Sequence, residues 1–145
     1  MGDKIKVLMV DDEEQFRSTT EKILQRKGFE TVLAASGEEA ISKLKEQPDV
    51  VILDIKMPGM DGIETLREIK KQFPLVEVIM LTGHGSTETA VEGMKLGAFD
   101  YLMKPADFSD LSTKLEGARK RKDEQEERIR KAEAKILVRK SGGIS

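Results

Sequence analysis

The stretch "DVVILDIKMPGMDG", residues 49–62, decides how the rest of the chain is read. Four apolar residues, Val50 to Leu53, run directly into Asp54, and a loop carrying Pro58, Gly59 and Gly62 follows. A short continuous apolar run bounded by turn residues reads as a strand covered on both faces, which belongs in a parallel sheet between layers of helix. An ionised carboxylate at the end of such a strand is costly unless something pairs with it. The remainder of the chain supplies the partners.

Four further apolar runs occur: "IKVLMV" (5–10), "FETVLAA" (29–35), "VEVIML" (76–81) and "FDYLM" (99–103). Helical stripes alternate with them. Phe16, Ile23 and Leu24 form the first, Ala40, Ile41 and Leu44 the second, Ile63, Leu66 and Ile69 the third, and Ala90, Val91 and Met94 the fourth. Ser36 with Glu39 makes a capping box, Ser86 and Asp107 are N-cap candidates, and Gly28 and Gly97 stand where helices should stop. Five βα units in succession predict an α/β fold, a five-stranded parallel sheet with helices on both faces.

The ends of the predicted strands carry the chemistry. The first ends in Asp11-Asp12, the third in Asp54, the fourth in Thr82 and the fifth in Lys104-Pro105; the second ends blandly in Ala35-Ser36, as an edge strand would. Open α/β sheets bind ligands beyond the carboxyl ends of their strands. Two like charges about 4 Å apart repel by roughly 4 kcal/mol at an effective dielectric of 20, so three such acids must protonate or share a cation. Hard oxygen ligands without a nearby His or Cys suit Mg²⁺, which keeps coordination positions for water and phosphate oxygens. A carboxylate can attack phosphorus and become an aspartyl phosphate. The transferring group then needs a cation, an ammonium and hydroxyl or amide donors, which Mg²⁺, Lys104, Thr82 and the Gly83 amide would provide. Each residue alone has a plainer account: helix cap for Asp11-Asp12, turn for Asp54, strand end for Thr82, solvated side chain for Lys104. All four falling on one rim is what those accounts leave unexplained.

The 145 residues suffice for one domain with a real core. With 38% hydrophobic and 36% charged residues, a water-facing surface is expected, and no apolar run nears the roughly 18 residues of a membrane span. The absence of Cys excludes a disulfide framework and a thiolate metal site. "MGDKIKVLMVDDEE" suits neither a signal peptide nor a myristoylation site, so a cytoplasmic location is expected. The net charge of −2 is uneven: residues 113–145 hold 11 Lys+Arg against 6 Asp+Glu, and the rest 14 against 21. A basic tail of this kind is a solvated helix in the plain account and a contact for an acidic partner or nucleic acid in the sharper one. Leu111, Leu115, Ala118, Lys122, Gln125, Ile129, Ala132 and Ile136 repeat in steps of four and three, a heptad seam weakened by Lys122 and Gln125 in core positions and by Gly117. This predicts a fifth helix extended well past the domain, able to pair in a dimer, with "SGGIS" as a frayed end. The expected division is 1–118 for the domain and 119–145 for a helical extension or interdomain linker. That extension is too short for a DNA-binding or ATPase domain.

These motifs resemble the receiver domain of bacterial two-component response regulators. The residues that carry the resemblance are Asp11-Asp12, "DIKMPGMDG" from Asp54, "LTG" with Thr82, and "GAFDYLMKP" with Tyr101, Lys104 and Pro105. It covers about residues 3–118, and the stretch 81–105 looks most like receivers of the nitrogen-regulator type. The resemblance implies a flavodoxin-like sheet of order 2-1-3-4-5 and a cis Lys104-Pro105 bond. It implies that Asp54 accepts a phosphoryl group from a sensor histidine kinase. Asp12 would ligate Mg²⁺ directly, Asp11 through water, and the Lys56 backbone carbonyl would be a further ligand. Thr82 and Lys104 would bind phosphoryl oxygens, and Thr82 with Tyr101 would form the switch that reshapes the surface of the fourth helix and fifth strand, a surface suited to a partner or a homodimer. Lys56 and His84, each two residues after a site residue, are expected to overhang the pocket and tune the lifetime of the phosphate. Three rivals stand beside this reading: a receiver-like adapter that is never phosphorylated, a phosphohydrolase of the haloacid-dehalogenase type, and a flavin-binding protein. The phosphohydrolase wants D-x-D after its first strand. The flavin protein wants a phosphate-cradling loop where "DDEEQ" stands, and the adapter has no need of the complete residue set.

Overall fold

The computed structural model describes residues 4–56, 61–83 and 87–142. Its elements run β1 (Lys6–Val10), α1 (Glu14–Arg26), β2 (Glu30–Ala34), α2 (Gly37–Lys43) with a 3-10 turn at Leu44–Glu46, β3 (Val50–Asp54), α3 (Gly62–Gln72), β4 (Glu77–Thr82), α4 (Thr87–Lys95), β5 (Asp100–Met103) and α5 (Phe108–Gly142). All strand pairs are parallel, in the order β2-β1-β3-β4-β5. The apolar runs therefore become the strands that their continuity predicts, with bounds moved by one residue: β1, β2 and β5 are trimmed, whereas β3 takes in Asp54 and β4 takes in Thr82.

The pleat sorts those runs onto two layers. Leu8, Val10, Val51, Leu53, Val78 and Met80 face Ala40, Leu44, Leu66 and Ile69 of the α2–α3 side. Val7, Met9, Val50, Ile52, Ile79 and Leu81 face Leu24 of α1 and Leu111, Leu115 and Ala118 of α5. Alternation with a period of two explains why these strands had to be apolar throughout. Caps and stops sit where their chemistry puts them. Ser36 Oγ accepts from the Glu39 amide, Asp107 Oδ1 accepts from the Ser109 amide, and Asp61 Oδ1 caps α3 through Glu64. Gly28 and Gly97 have φ of 92° and 106°, the left-handed conformation that ends a helix at least cost in glycine. The expected Ser86 cap lies outside the described residues.

Two expectations need correction. The apolar stripe of α4 is not all core: Ala90 and Gly93 are buried, while Val91 and Met94 are exposed. Gly93 lies so close to β4 that a Cβ there would sit 2.0 Å from Met80 Sδ. Small residues set the buried face, and the larger ones are turned outward. In α5 the helix continues unbroken through residue 118 to Gly142, but Lys122 is no seam residue. Its ammonium pairs with Asp49 at 3.3 Å and with Glu126 at 3.0 Å, because at that point the helix still lies against its own domain.

Candidate functional site

The same pleat that sorts the core brings the acids together. Asp11 continues the alternation of Val7 and Met9, and Asp54 that of Val50 and Ile52, on adjacent strands β1 and β3. Both carboxylates thus emerge on one side of the sheet at neighbouring strand ends. One carboxylate oxygen each from Asp11, Asp12 and Asp54 lies within 4.8 Å of the others. Asp11 is fully buried, Asp54 is 5% exposed, and Asp12 faces solvent.

Lys104 reaches in from the end of β5. Its Nζ donates to Asp11 Oδ2 at 2.8 Å and lies 3.4 Å from Asp54 Oδ2. The peptide bond between Lys104 and Pro105 is cis, as the resemblance implied. The remaining oxygens are also engaged: Asp11 Oδ1 accepts from the Glu13 amide at 2.9 Å and Asp54 Oδ1 from the Lys56 amide at 3.1 Å. Burial pushes the Asp54 carboxyl above the usual carboxylate range, and the charge of Asp11 adds to it; the Lys56 amide and Lys104 oppose the rise without cancelling it. Burial alone would lower the Lys104 pKa, but its hydrogen bond to Asp11 and the charges of Asp54 and Asp11 outweigh this and raise it. Lys104 therefore stays a cation, and the cluster still carries an excess of negative charge. Three hard oxygen donors, one of them at the solvent edge, are a donor set that fits a small divalent ion.

Thr82, buried at the end of β4, belongs to the same rim but lies toward α4. Its hydroxyl donates to the Leu102 carbonyl at 3.4 Å, and it lines a groove of about 400 Å³ with Ala90, Val91, Met94, Tyr101 and Met103. Tyr101 is 43% exposed at the mouth of that groove. Lys56 is exposed beside Asp54, and His84 lies outside the described residues.

Three contributors were not legible as such in the sequence. Phe16, read as a core residue of α1, presents its ring 4.5 Å from Lys104 Nζ. Arg17 donates to the Asp11 carbonyl at 2.7 Å, bracing the turn that aims the carboxylate. Gly62 presses on the strand end carrying Asp54: a Cβ there would lie 2.3 Å from Ile55 Cα, so only glycine lets α3 start that close. The glycine in "MDG" was a signal for a tight backbone; nothing in the sequence marked Phe16 or Arg17.

Comparison with known proteins agrees with this geometry. A family model described as "Response regulator receiver domain" matches residues 7–116. The transcriptional regulatory protein ZraR of Escherichia coli (strain K12) is 44% identical over 117 residues, covering 80% of this chain and 26% of that protein. A putative NtrX-like response regulator of Rickettsia bellii (strain RML369-C) is 48% identical over 104 residues, 70% of this chain and 22% of that one. Among solved structures, a response regulator receiver domain protein from Clostridium thermocellum superposes with a TM-score of 0.79 at 42% identity, covering 81% of this chain and 96% of that chain. NtrX from Brucella abortus gives 0.81 at 36% identity, covering 86% and 29%. The chain thus spans about a quarter of the length of the curated relatives it matches. With three acids, a lysine and a threonine gathered at the strand ends of a 2-1-3-4-5 sheet, and with these matches, the chain belongs to the response regulator receiver domain family, in its nitrogen-regulator-type branch.

Proposed function

We infer that this chain is a phosphorylation switch in which Asp54 is the phosphoacceptor. A sensor histidine kinase would be the donor. The Asp54 carboxylate oxygen attacks phosphorus as the P–N bond of phosphohistidine breaks, giving an acyl phosphate on Asp54 and a neutral imidazole once the leaving nitrogen takes a proton. Asp11, Asp12, Asp54 and the Lys56 backbone carbonyl would hold Mg²⁺, which when bound offsets the charge gathering on the phosphoryl oxygens. Lys104, already poised between Asp11 and Asp54, is suited to follow that charge onto the phosphoryl group. Thr82 and the Gly83 amide would supply further donors. The observation that carries this reading is the convergence of three carboxylates and one ammonium at neighbouring strand ends.

The output would run through Thr82 and Tyr101. A phosphoryl group on Asp54 draws the Thr82 hydroxyl away from the Leu102 carbonyl, and the groove behind it gives the Tyr101 ring a place to turn inward. Exposed Val91, Met94 and Met103 border that groove. A partner or a second copy would read the change there, or along α5, where Ile129 and Ile136 face solvent. Residues 1–118 would then be the receiver and 119–145 its extension. No described helix is long and apolar enough to cross a membrane, and a cytoplasmic setting suits a partner of cytoplasmic kinases.

Incubation with Mg²⁺ and acetyl phosphate followed by intact mass measurement tests the assignment. A hydroxylamine-labile gain of about 80 Da, one PO₃ unit, is expected in the wild type and not in Asp54→Asn. No adduct under any Mg²⁺ concentration would make the chain an adapter instead.

A further inference from the structure

The end of the sheet opposite the carboxylate cluster holds a second group of charges that the phosphoacceptor chemistry does not use. Asp49, just before β3, accepts from the Lys6 amide at 2.9 Å and pairs with Arg119 at 3.3 Å and Lys122 at 3.3 Å. Glu77, the first residue of β4, is only 3% exposed and pairs with Arg121 at 3.2 Å and Lys70 at 3.6 Å. The Oε1 atom of Glu77 is buried without a hydrogen bond, so its charge rests on those two cations. Burial lowers the Lys70 pKa although Glu77 opposes the shift, and Arg121 brings a second, planar cation to the same carboxylate. Three of the four consecutive basic residues 119–122 of α5 thus fall on two acids of the receiver, and these lie just beyond residue 116, where the family match ends.

Their place along α5 is informative. The apolar anchors of the helix end at Ala118. Directly before it stands Gly117, the weakest helix former short of proline, packed so closely that a Cβ would be 3.3 Å from the Phe99 ring. The Arg121 guanidinium lies 5.8 Å from the centre of that same ring. Beyond residue 126 every described side chain of α5 is exposed. A segment of that length with every described side chain exposed is marginal as a helix in water, and a glycine at the edge of the domain is where a helix would otherwise stop.

We propose that Asp49 and Glu77 form an ionic seat for residues 119–122 that carries α5 across Gly117 and makes the receiver and the projecting helix one rigid body. The seat holds the first turns after the glycine in helical register, and the rest of the rod propagates from them. Without it, the helix beyond Ala118 has no apolar anchor on the receiver. The two strands that begin beside the seat end in Asp54 and Thr82, about 16 Å away along each strand, so the direction of the rod is referred to the same strands that bear the site. The seat is independent of whether Asp54 is phosphorylated.

The chain contains no cysteine, so spin labels can be placed cleanly at Lys22→Cys on α1 and Lys135→Cys on the rod. Pulsed electron resonance on the full chain should give one narrow distance distribution. In the triple variant Arg119→Gln/Arg121→Gln/Lys122→Gln, whose glutamines keep helix propensity, the width should at least double and amides 119–126 should exchange at least tenfold faster. Asp49→Asn/Glu77→Gln should do the same from the receiver side. Should burying an amide at Glu77 prevent folding, the triple variant alone decides, since none of its three side chains is fully buried. Asp123→Asn/Glu126→Gln, which removes only pairs within the helix, should stay narrow. A triple variant as narrow as the wild type overturns the proposal, as does an Asp123/Glu126 variant that broadens equally. Labelling by acetyl phosphate should persist in every variant, and a loss confined to that readout would bear on Asp54 and not on the seat.

Discussion

Lys104 keeps its charge in a place where burial works against it, and the residues responsible are spread over the chain. Asp11 and Asp54 hold the ammonium from one side, and the ring of Phe16 lies against it at 4.5 Å. A cation over an aromatic face gains about 0.5–2 kcal/mol, more when water is excluded. Phe16→Leu keeps the apolar contact with the core but removes the quadrupole. Acetyl phosphate labelling of Asp54 should then slow roughly threefold to tenfold, about 0.7–1.4 kcal/mol, and Phe16→Tyr should restore it. Equal rates for the leucine and tyrosine variants would show that the ring is only filler. Phe16 illustrates why part of the site was hidden. A phenylalanine at a helical stripe position says "core", and only the fold reveals that the core at that point adjoins a lysine some ninety residues later in the chain.

At the scale of elements, α3 starts hard against the end of β3. The Gly62 amide donates to the Ile55 carbonyl at 3.1 Å, Asp61 caps α3, and no space remains for a Cβ between Gly62 and the backbone of Ile55. Gly62→Ala forces the start of α3 away from the strand end. Overpacking of this sort costs about 1–3 kcal/mol and here meets rigid backbone, so urea unfolding should show a loss at or above the top of that range, with Asp54 labelling slowed as well. A loss below about 0.5 kcal/mol, the scale of an ordinary surface change, would mean that the junction relaxes freely. The strands were legible because their apolar runs are continuous, and the sheet order followed from the family resemblance. The course of α4 was not, since its buried face is made by Ala90 and Gly93, whose small size carries little hydrophobic signal. Lys122 misled for a related reason: a heptad count assigns positions by spacing, whereas the residue answers to Asp49, seventy-three positions earlier and close only in the folded chain.

For the whole molecule, the acids that make the site also weigh on its stability. Burial and the neighbouring charge of Asp11 raise the Asp54 pKa above the ordinary 3.8. Between 3.8 and the raised value the folded chain binds a proton that the unfolded chain has released, so the slope of unfolding free energy against pH is negative there. The ionised form of Asp54 therefore subtracts from stability above that window, and the deficit disappears below pH 3.8. Asp54→Asn should accordingly raise the midpoint of thermal unfolding at pH 7 without divalent ions, and the gain should shrink as the pH falls toward 4. Mg²⁺ should invert the order. A ligand bound only by the folded state at a hundred times its Kd adds about 2.7 kcal/mol. The wild type, with all three carboxylates, should take up that stabilisation, while Asp54→Asn takes up much less. Differential scanning calorimetry of both proteins at pH 7, with and without Mg²⁺, reads the crossing directly. If Asp54→Asn melts below the wild type in the absence of metal, the carboxylate is already well compensated by Lys104 and the Lys56 amide, and the cluster has no unmet demand for a cation.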